Sequence, residues 1–101
     1  MTEFQNKCYS YLKNNVPQGK VTTYSQLAKL IGHPNAYRAV GSAMNKNPFA
    51  PEVPCHRVVK SNGEIGGFAD DLRIKIELLK SEGVETIDGK ITNFKKCLYI
   101  P

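Results

Sequence analysis

Cysteine and histidine are scarce, three and two in 101 residues. Cys8, Cys55 and Cys97 lie far apart and form no C-x-x-C pair, which argues against a disulfide framework or a zinc-ribbon spacing. A four-ligand metal site would need His33, His56 and two distant cysteines to converge, so neither metal nor cofactor is expected. Long apolar runs are missing as well. None approaches the ~20 residues of a membrane-spanning helix. Residues 1–15 are polar and amphipathic, unlike a signal peptide. The expectation is a reducing, cytoplasmic setting (at the nucleoid in a prokaryote, nuclear in a eukaryote) and no membrane partner. With no internal repeat, low-complexity tract or linker, residues 1–101 read as one domain without a separate N-terminal domain. Arginine is rare too: only Arg38, Arg57 and Arg73 occur.

What is present reads as a folded domain, 41% hydrophobic and 23% charged. Fourteen basic residues against 9 acidic ones leave a net charge of +5, which invites a polyanion such as nucleic acid. Residues 3–14 have the periodicity of an amphipathic helix, with Phe4, Cys8, Tyr11 and Leu12 on one face. Cys8 in that register reads as a small core residue. Pro17 and Gly19 break the helix, and "VTT" (21–23) follows as a short extended piece.

Thr23 and Gln26 then form a T-x-x-Q capping box, Leu27, Leu30 and Ile31 an apolar stripe, and Gly32 a helix stop. Asn35 is placed to cap a second helix from Ala36 to about Asn45, with Ala39, Val40, Ala43 and Met44 facing inward. Two short helices and a tight turn over about 23–45 fit a helix-turn-helix. Tyr37, Arg38, Ser42, Asn45 and Lys46 would form its groove-facing surface. A plain helical hairpin is the alternative.

"NPFAPEVP" (47–54) carries three prolines in eight residues and predicts an ordered, extended loop that delivers Cys55. "HRVV" predicts a short strand, and Asn62-Gly63 a hairpin turn. Asp70 or Asp71 is placed to cap a third amphipathic helix through Leu72, Ile76 and Leu79, stopped by Gly83. The tail holds an Asp-Gly turn and predicts a small hairpin. Together these give a mainly α fold with short β pieces (α+β), a winged-helix-like helix-turn-helix domain with an extended Pro-rich active-site loop.

The chemistry gathers at "VPCHRVV" (53–59). A free thiol with pKa of about 8.5 is a poor nucleophile at neutral pH without activation. His56 is the adjacent base, but successive side chains on an extended segment point to opposite faces, so contact would run through a water. A carboxylate behind the imidazole would fix its tautomer. Glu82 is the choice, with Glu64 and Glu77 as competitors. Purely structural burial of Cys55 remains an alternative.

"VPCHRVV" resembles the active-site motif of the O6-alkylguanine-DNA alkyltransferases. The resemblance extends over "GKVTTYSQLAKLIG", "RAVGSAMNKNP", the Asn-Gly turn and "LLKSEG" (78–83). It implies a monomer that binds the minor groove of double-stranded DNA and takes a flipped-out O6-alkylguanine. By the same resemblance, Cys55 accepts the alkyl group, His56 deprotonates it through a water, and Glu82 completes the relay. Tyr24 helps protonate the leaving guanine. Arg38 fills the vacated stack, Asn47 ties the recognition helix to the cysteine loop, and Met44 lines the pocket. The carbonyls of Cys55 and Val58 read the exocyclic amine. Phe68 stands where the family commonly has Tyr, and Ala69 where a Ser can bond the guanine oxygen. Asp70-Asp71 replace small glycines. Two alternatives stay open: a non-enzymatic damage sensor that recruits excision repair, a class that generally lacks the cysteine, and a helix-turn-helix regulator.

Overall fold

The computed structural model describes residues 1–66 and 69–101, with side chains from Leu72 onward in the fourth helix. Helix α1 spans Glu3–Asn15, and Thr2 and Gln5 close a reciprocal capping box at its start. Strand β1 is Thr22–Thr23, followed by α2, Tyr24–Leu30, and α3, Tyr37–Asn45. A single turn of 3-10 helix, Cys55–Arg57, leads into β2, Val58–Val59. Helix α4 is Ala69–Ser81; the tail adds β3, Thr86–Ile87, β4, Lys90–Ile91, and α5, Phe94–Cys97. The α+β fold with a helix-turn-helix is as the sequence predicts.

β1 and β2 pair in parallel, Thr22 opposite Val58 and Thr23 opposite Val59. Alternation along β2 sends its two valines to opposite sides. Val58 joins a cluster with Leu12, Leu27, Val40 and Met44, between α1, α2 and α3. Val59 joins Val21, Ile65, Leu79 and Val84, under α4 and the tail. Each fully buried Leu or Val of these clusters contributes about 1.5–3 kcal/mol of transfer free energy. The Tyr9 hydroxyl donates to the Ala43 carbonyl at 2.7 Å and locks α1 onto α3.

Two helix ends follow from their glycines. Gly32 (φ +86°) and Gly83 (φ +87°) adopt the left-handed conformation that costs Gly least. After each, the chain bonds back: His33 N–H to the Ala28 carbonyl at 2.9 Å, and Val84 N–H to the Leu79 carbonyl at 2.9 Å. Both are Schellman caps. Asp88 and Gly89, φ 52° and 78°, make the expected tail hairpin turn between β3 and β4.

Several local expectations are corrected. Thr23 accepts from the Gln26 N–H at 3.0 Å, but Gln26 does not complete the box. Its side chain accepts from the Thr22 hydroxyl and donates to the Tyr99 carbonyl, because residues 98–99 run alongside β1. Asn35 is not a cap: Ala36 holds that position without a side-chain bond, its N–H closing a turn on the His33 carbonyl at 2.9 Å. Ala39 is exposed, since the buried stripe of α3 is Val40, Ala43 and Met44. Residues 47–54 are a series of turns rather than extended, with Val53 N–H donating to the Phe49 carbonyl at 3.0 Å. Asn62-Gly63 makes a tight turn from Lys60 to Glu64, whose bridge partner is Lys90 rather than β2. Helix α4 starts at Ala69, so Asp70 and Asp71 fall within its first turn rather than before it.

Candidate active site

Cys55 and His56 sit on a 3-10 turn rather than an extended segment, and the strand expected over "HRVV" is confined to Val58–Val59. Pro54 precedes the turn, and the Arg57 N–H donates to the Pro54 carbonyl at 2.9 Å. With three residues per turn, successive side chains diverge by roughly a third of a circle rather than half. Both side chains therefore line one pocket of about 320 Å³, together with Tyr24, Met44, Asn47 and Lys75. Among the described residues no hydrogen bond joins the imidazole to the thiol.

His56 is 5% exposed, and its Nε2 lies 2.9 Å from Glu82 Oε2. The Schellman cap at Gly83 sets Glu82 at the C-terminal end of α4, a place that the helix dipole disfavours for an anion. Arg57 compensates. Its Nε donates to Glu82 Oε1 at 2.9 Å and its Nη2 to Oε2 at 2.7 Å, while Nη1 reaches the Val16 carbonyl at 2.9 Å. Burial pushes the Glu82 carboxyl up, but the bonds from Arg57 and His56 more than offset it and hold it below its ordinary value. Burial pushes the His56 imidazole down, against the pull of Glu82. With Glu82 ionised, Nε2 carries the proton and Nδ1 keeps a lone pair for the pocket.

A second pair stands on another wall. Tyr24, at the start of α2, packs over Gly41, where an added Cβ would already touch its ring at 3.9 Å. Burial and the nearby Cys55 raise the Tyr24 phenol, so it remains a donor. Lys75 Nζ donates to the Val58 carbonyl at 2.7 Å and lies 3.5 Å from the Tyr24 hydroxyl. Burial lowers the Lys75 ammonium from 10.5 to about 8, with Cys55 pulling the other way. The pocket thus combines a thiol, a proton acceptor and two proton donors, a set suited to nucleophilic displacement with protonation of the leaving group.

Met44 lines the pocket, the place the resemblance implies for it, and Asn47, expected to tie the recognition helix to the cysteine loop, lines it too. Tyr37, Arg38 and Ser42 do not; they stand exposed on α3, with the Arg38 guanidinium 5.9 Å from the Tyr37 ring. Val58 is fully buried, and its carbonyl, expected to read a base, is engaged by Lys75. Phe68 and the Ala69 side chain lie outside the described residues. His33 packs edge-on against Phe4, ring centroids 5.4 Å apart.

Arg57, paired with Glu82, and Lys75, in the pocket wall, are side chains to which the sequence reading assigns no role. Both left a signal. Arg57 is a charge in an apolar run that must find a carboxylate. Lys75 occupies the i+3 place of the stripe Leu72, Ile76, Leu79, where an apolar residue belongs.

Comparison with known proteins converges on one family. Residues 3–84 match the family described as 6-O-methylguanine DNA methyltransferase, DNA binding domain. A methylated-DNA–protein-cysteine methyltransferase of Methanosarcina acetivorans is 52% identical over 82 residues, 81% of this chain and 52% of the relative. One from Shigella flexneri is 44% identical over 82 residues, 81% of this chain and 47% of the relative. The chain spans about half the length of these curated relatives. The crystal structure of S. pombe Atl1 with damaged DNA containing O6-carboxymethylguanine superposes with a TM-score of 0.87 at 34% identity, covering 100% of this chain and 98% of that one. Mycobacterium tuberculosis OGT in complex with DNA gives 0.77 at 38%, covering 82% and 50%. With the matched segment spanning α1 to the Schellman cap after Glu82, the chain belongs to the 6-O-methylguanine DNA methyltransferase family, in its DNA-binding domain.

Proposed function

We propose that this protein repairs DNA by taking an O6-alkylguanine out of the duplex and moving its alkyl group onto Cys55. The observation that carries the reading is one pocket lined by a thiol, the His56–Glu82 pair and the donors Tyr24 and Lys75. The thiol proton passes through a water to His56 Nδ1. Sulfur then bonds the alkyl carbon as the carbon–O6 bond breaks, and a proton supplied from Tyr24 neutralises the departing guanine. Lys75 stands behind that phenol. The product is a thioether with no carbonyl for water to attack, so each molecule acts once.

A base inside a duplex cannot reach the pocket without extrusion, which costs a few kcal/mol. Arg38, in the first turn of α3, is the side chain to fill the gap. Tyr37 and Ser42 meet the backbone beside it, and the net charge of +5 supports binding to phosphates. For Val58 to read the guanine amine, its carbonyl must use its second lone pair or exchange Lys75 for the base.

A second reading, a damage sensor without transfer, draws on the nearly full-length likeness to Atl1. Cys55 and its proton acceptor favour transfer. Incubation with an O6-methylguanine duplex and intact-mass measurement decides between them. A gain of about 14 Da, one methyl group on one sulfur, lost in Cys55→Ala, supports transfer. Lesion-selective binding without a mass change makes the protein a sensor, and binding indifferent to the lesion makes it a regulator.

A further inference from the structure

We propose that Arg57 is a positioning residue that keeps His56 able to accept a proton by sharing the Glu82 carboxylate with it. The inference deepens the reading of the Cys55 pocket as a transfer site and rests on it for its catalytic consequence.

The geometry is a three-way junction. Glu82 Oε2 accepts from Arg57 Nη2 at 2.7 Å and from His56 Nε2 at 2.9 Å, so two donors compete for one oxygen. Arg57 Nε takes the other oxygen at 2.9 Å, completing a bidentate fork. The junction is largely buried: the side chains of His56, Arg57 and Glu82 are 5%, 12% and 7% exposed. Among the described residues no buried side-chain nitrogen or oxygen there lacks a partner.

A carboxylate facing an imidazole alone favours the imidazolium, which has no lone pair at Nδ1 and cannot take the thiol proton. The guanidinium fork neutralises Glu82 before the imidazole does. Lys75 on α4 disfavours a second positive charge, and the Cys55 thiol and Tyr24 phenol line the same pocket. Glu82 can then orient the ring without charging it. The sequence places Arg57 next to the histidine it tunes, and Nη1 on the Val16 carbonyl holds the guanidinium in its plane.

The test is the His56 titration, followed by NMR on the DNA-free protein, in wild type, Arg57→Lys, Arg57→Gln and Arg57→Met. Loss of the charge in the Gln and Met variants is expected to raise the His56 midpoint by about one pH unit, and Lys is expected to keep it near wild type. Cys55 alkylation by the O6-methylguanine duplex should then fall roughly 2- to 8-fold more at about pH 6 than at about pH 8.5 in the uncharged variants, because only the lower pH leaves much of the imidazole charged. A merely structural arginine would slow the reaction equally at both. An unmoved midpoint in folded Arg57→Gln or Arg57→Met, or a midpoint in Arg57→Lys as displaced as theirs, overturns the inference. If Arg57→Met does not fold, the Gln and Lys pair carries the comparison. A midpoint that moves as expected in a protein that gains no methyl group supports the tuning and overturns the transfer reading instead.

Discussion

Asn47 and Val53 are joined across the loop that carries the cysteine: Asn47 Nδ2 donates to the Val53 carbonyl at 2.8 Å, and Asn47 Oδ1 accepts from the Phe49 N–H at 2.9 Å. One side chain just past α3 thus shapes the approach to Cys55. Asn47→Ala leaves the buried Val53 without its partner and is expected to cost about 1–3 kcal/mol. Denaturant melts give the stability, and Cys55 alkylation gives the rate. Asn47→Asp, which keeps the acceptor and loses the donor, should reproduce most of the loss. An aspartate as stable and as fast as wild type would remove the Val53 bond from the account.

Arg38 is exposed and outside the pocket, so its contribution should depend on the duplex. Arg38→Ala is expected to slow transfer from a lesion in duplex DNA by roughly 5- to 30-fold, the equivalent of about 1–2 kcal/mol of lost support for the extruded state. Transfer from the free base should hardly change. Equal losses on both substrates would rule out a role in extrusion.

Gly83 tests the cap that sets Glu82 in place. An added Cβ would meet nothing within 4 Å, so Gly83→Ala isolates the strain of φ +87°. The expected loss is about 1–2 kcal/mol. At Gly63, φ +88°, a Cβ would also press on the Phe94 ring at 3.2 Å, so Gly63→Ala should cost more. Urea melts of the two variants give the order, and the reverse order would contradict it.

Lys75 predicts an alkaline signature. Its ammonium is lowered to about 8 in the folded protein from an ordinary 10.5, so the unfolded chain binds the proton more tightly between those values. Its contribution is fully present above 10.5 and is lost as pH falls through about 8. Wild-type stability relative to Lys75→Met should therefore rise across that window, by about 3 kcal/mol. A difference between the two proteins that does not change with pH would refute the depressed ammonium.

What the sequence discloses is mostly local. Thr23 as a cap, Gly32 and Gly83 as stops, and the Asp88-Gly89 turn each follow from a residue and its near neighbours. Glu82 was legible because a carboxylate at a helix end needs a reason. The 3-10 turn at Cys55 was not, because it depends on β2 pairing with β1 from the far side of the helix-turn-helix. Gln26 departs from its box for the same kind of reason: the tail returns and offers the Tyr99 carbonyl. Lys75 was hidden by its type, a basic residue that reads as surface until its carbonyl partner on β2 is seen.

β1 and β2 hold only two residues each, but they close a mechanical circuit. Thr23 ends β1 and starts α2, while β2 begins where the cysteine turn ends. The start of the helix-turn-helix and the cysteine turn are thus both fixed to one pair of hydrogen-bonded strands. Under the proposed transfer, whatever surface seats the helix-turn-helix also aims the sulfur, and alignment of the thiol is inherited from docking.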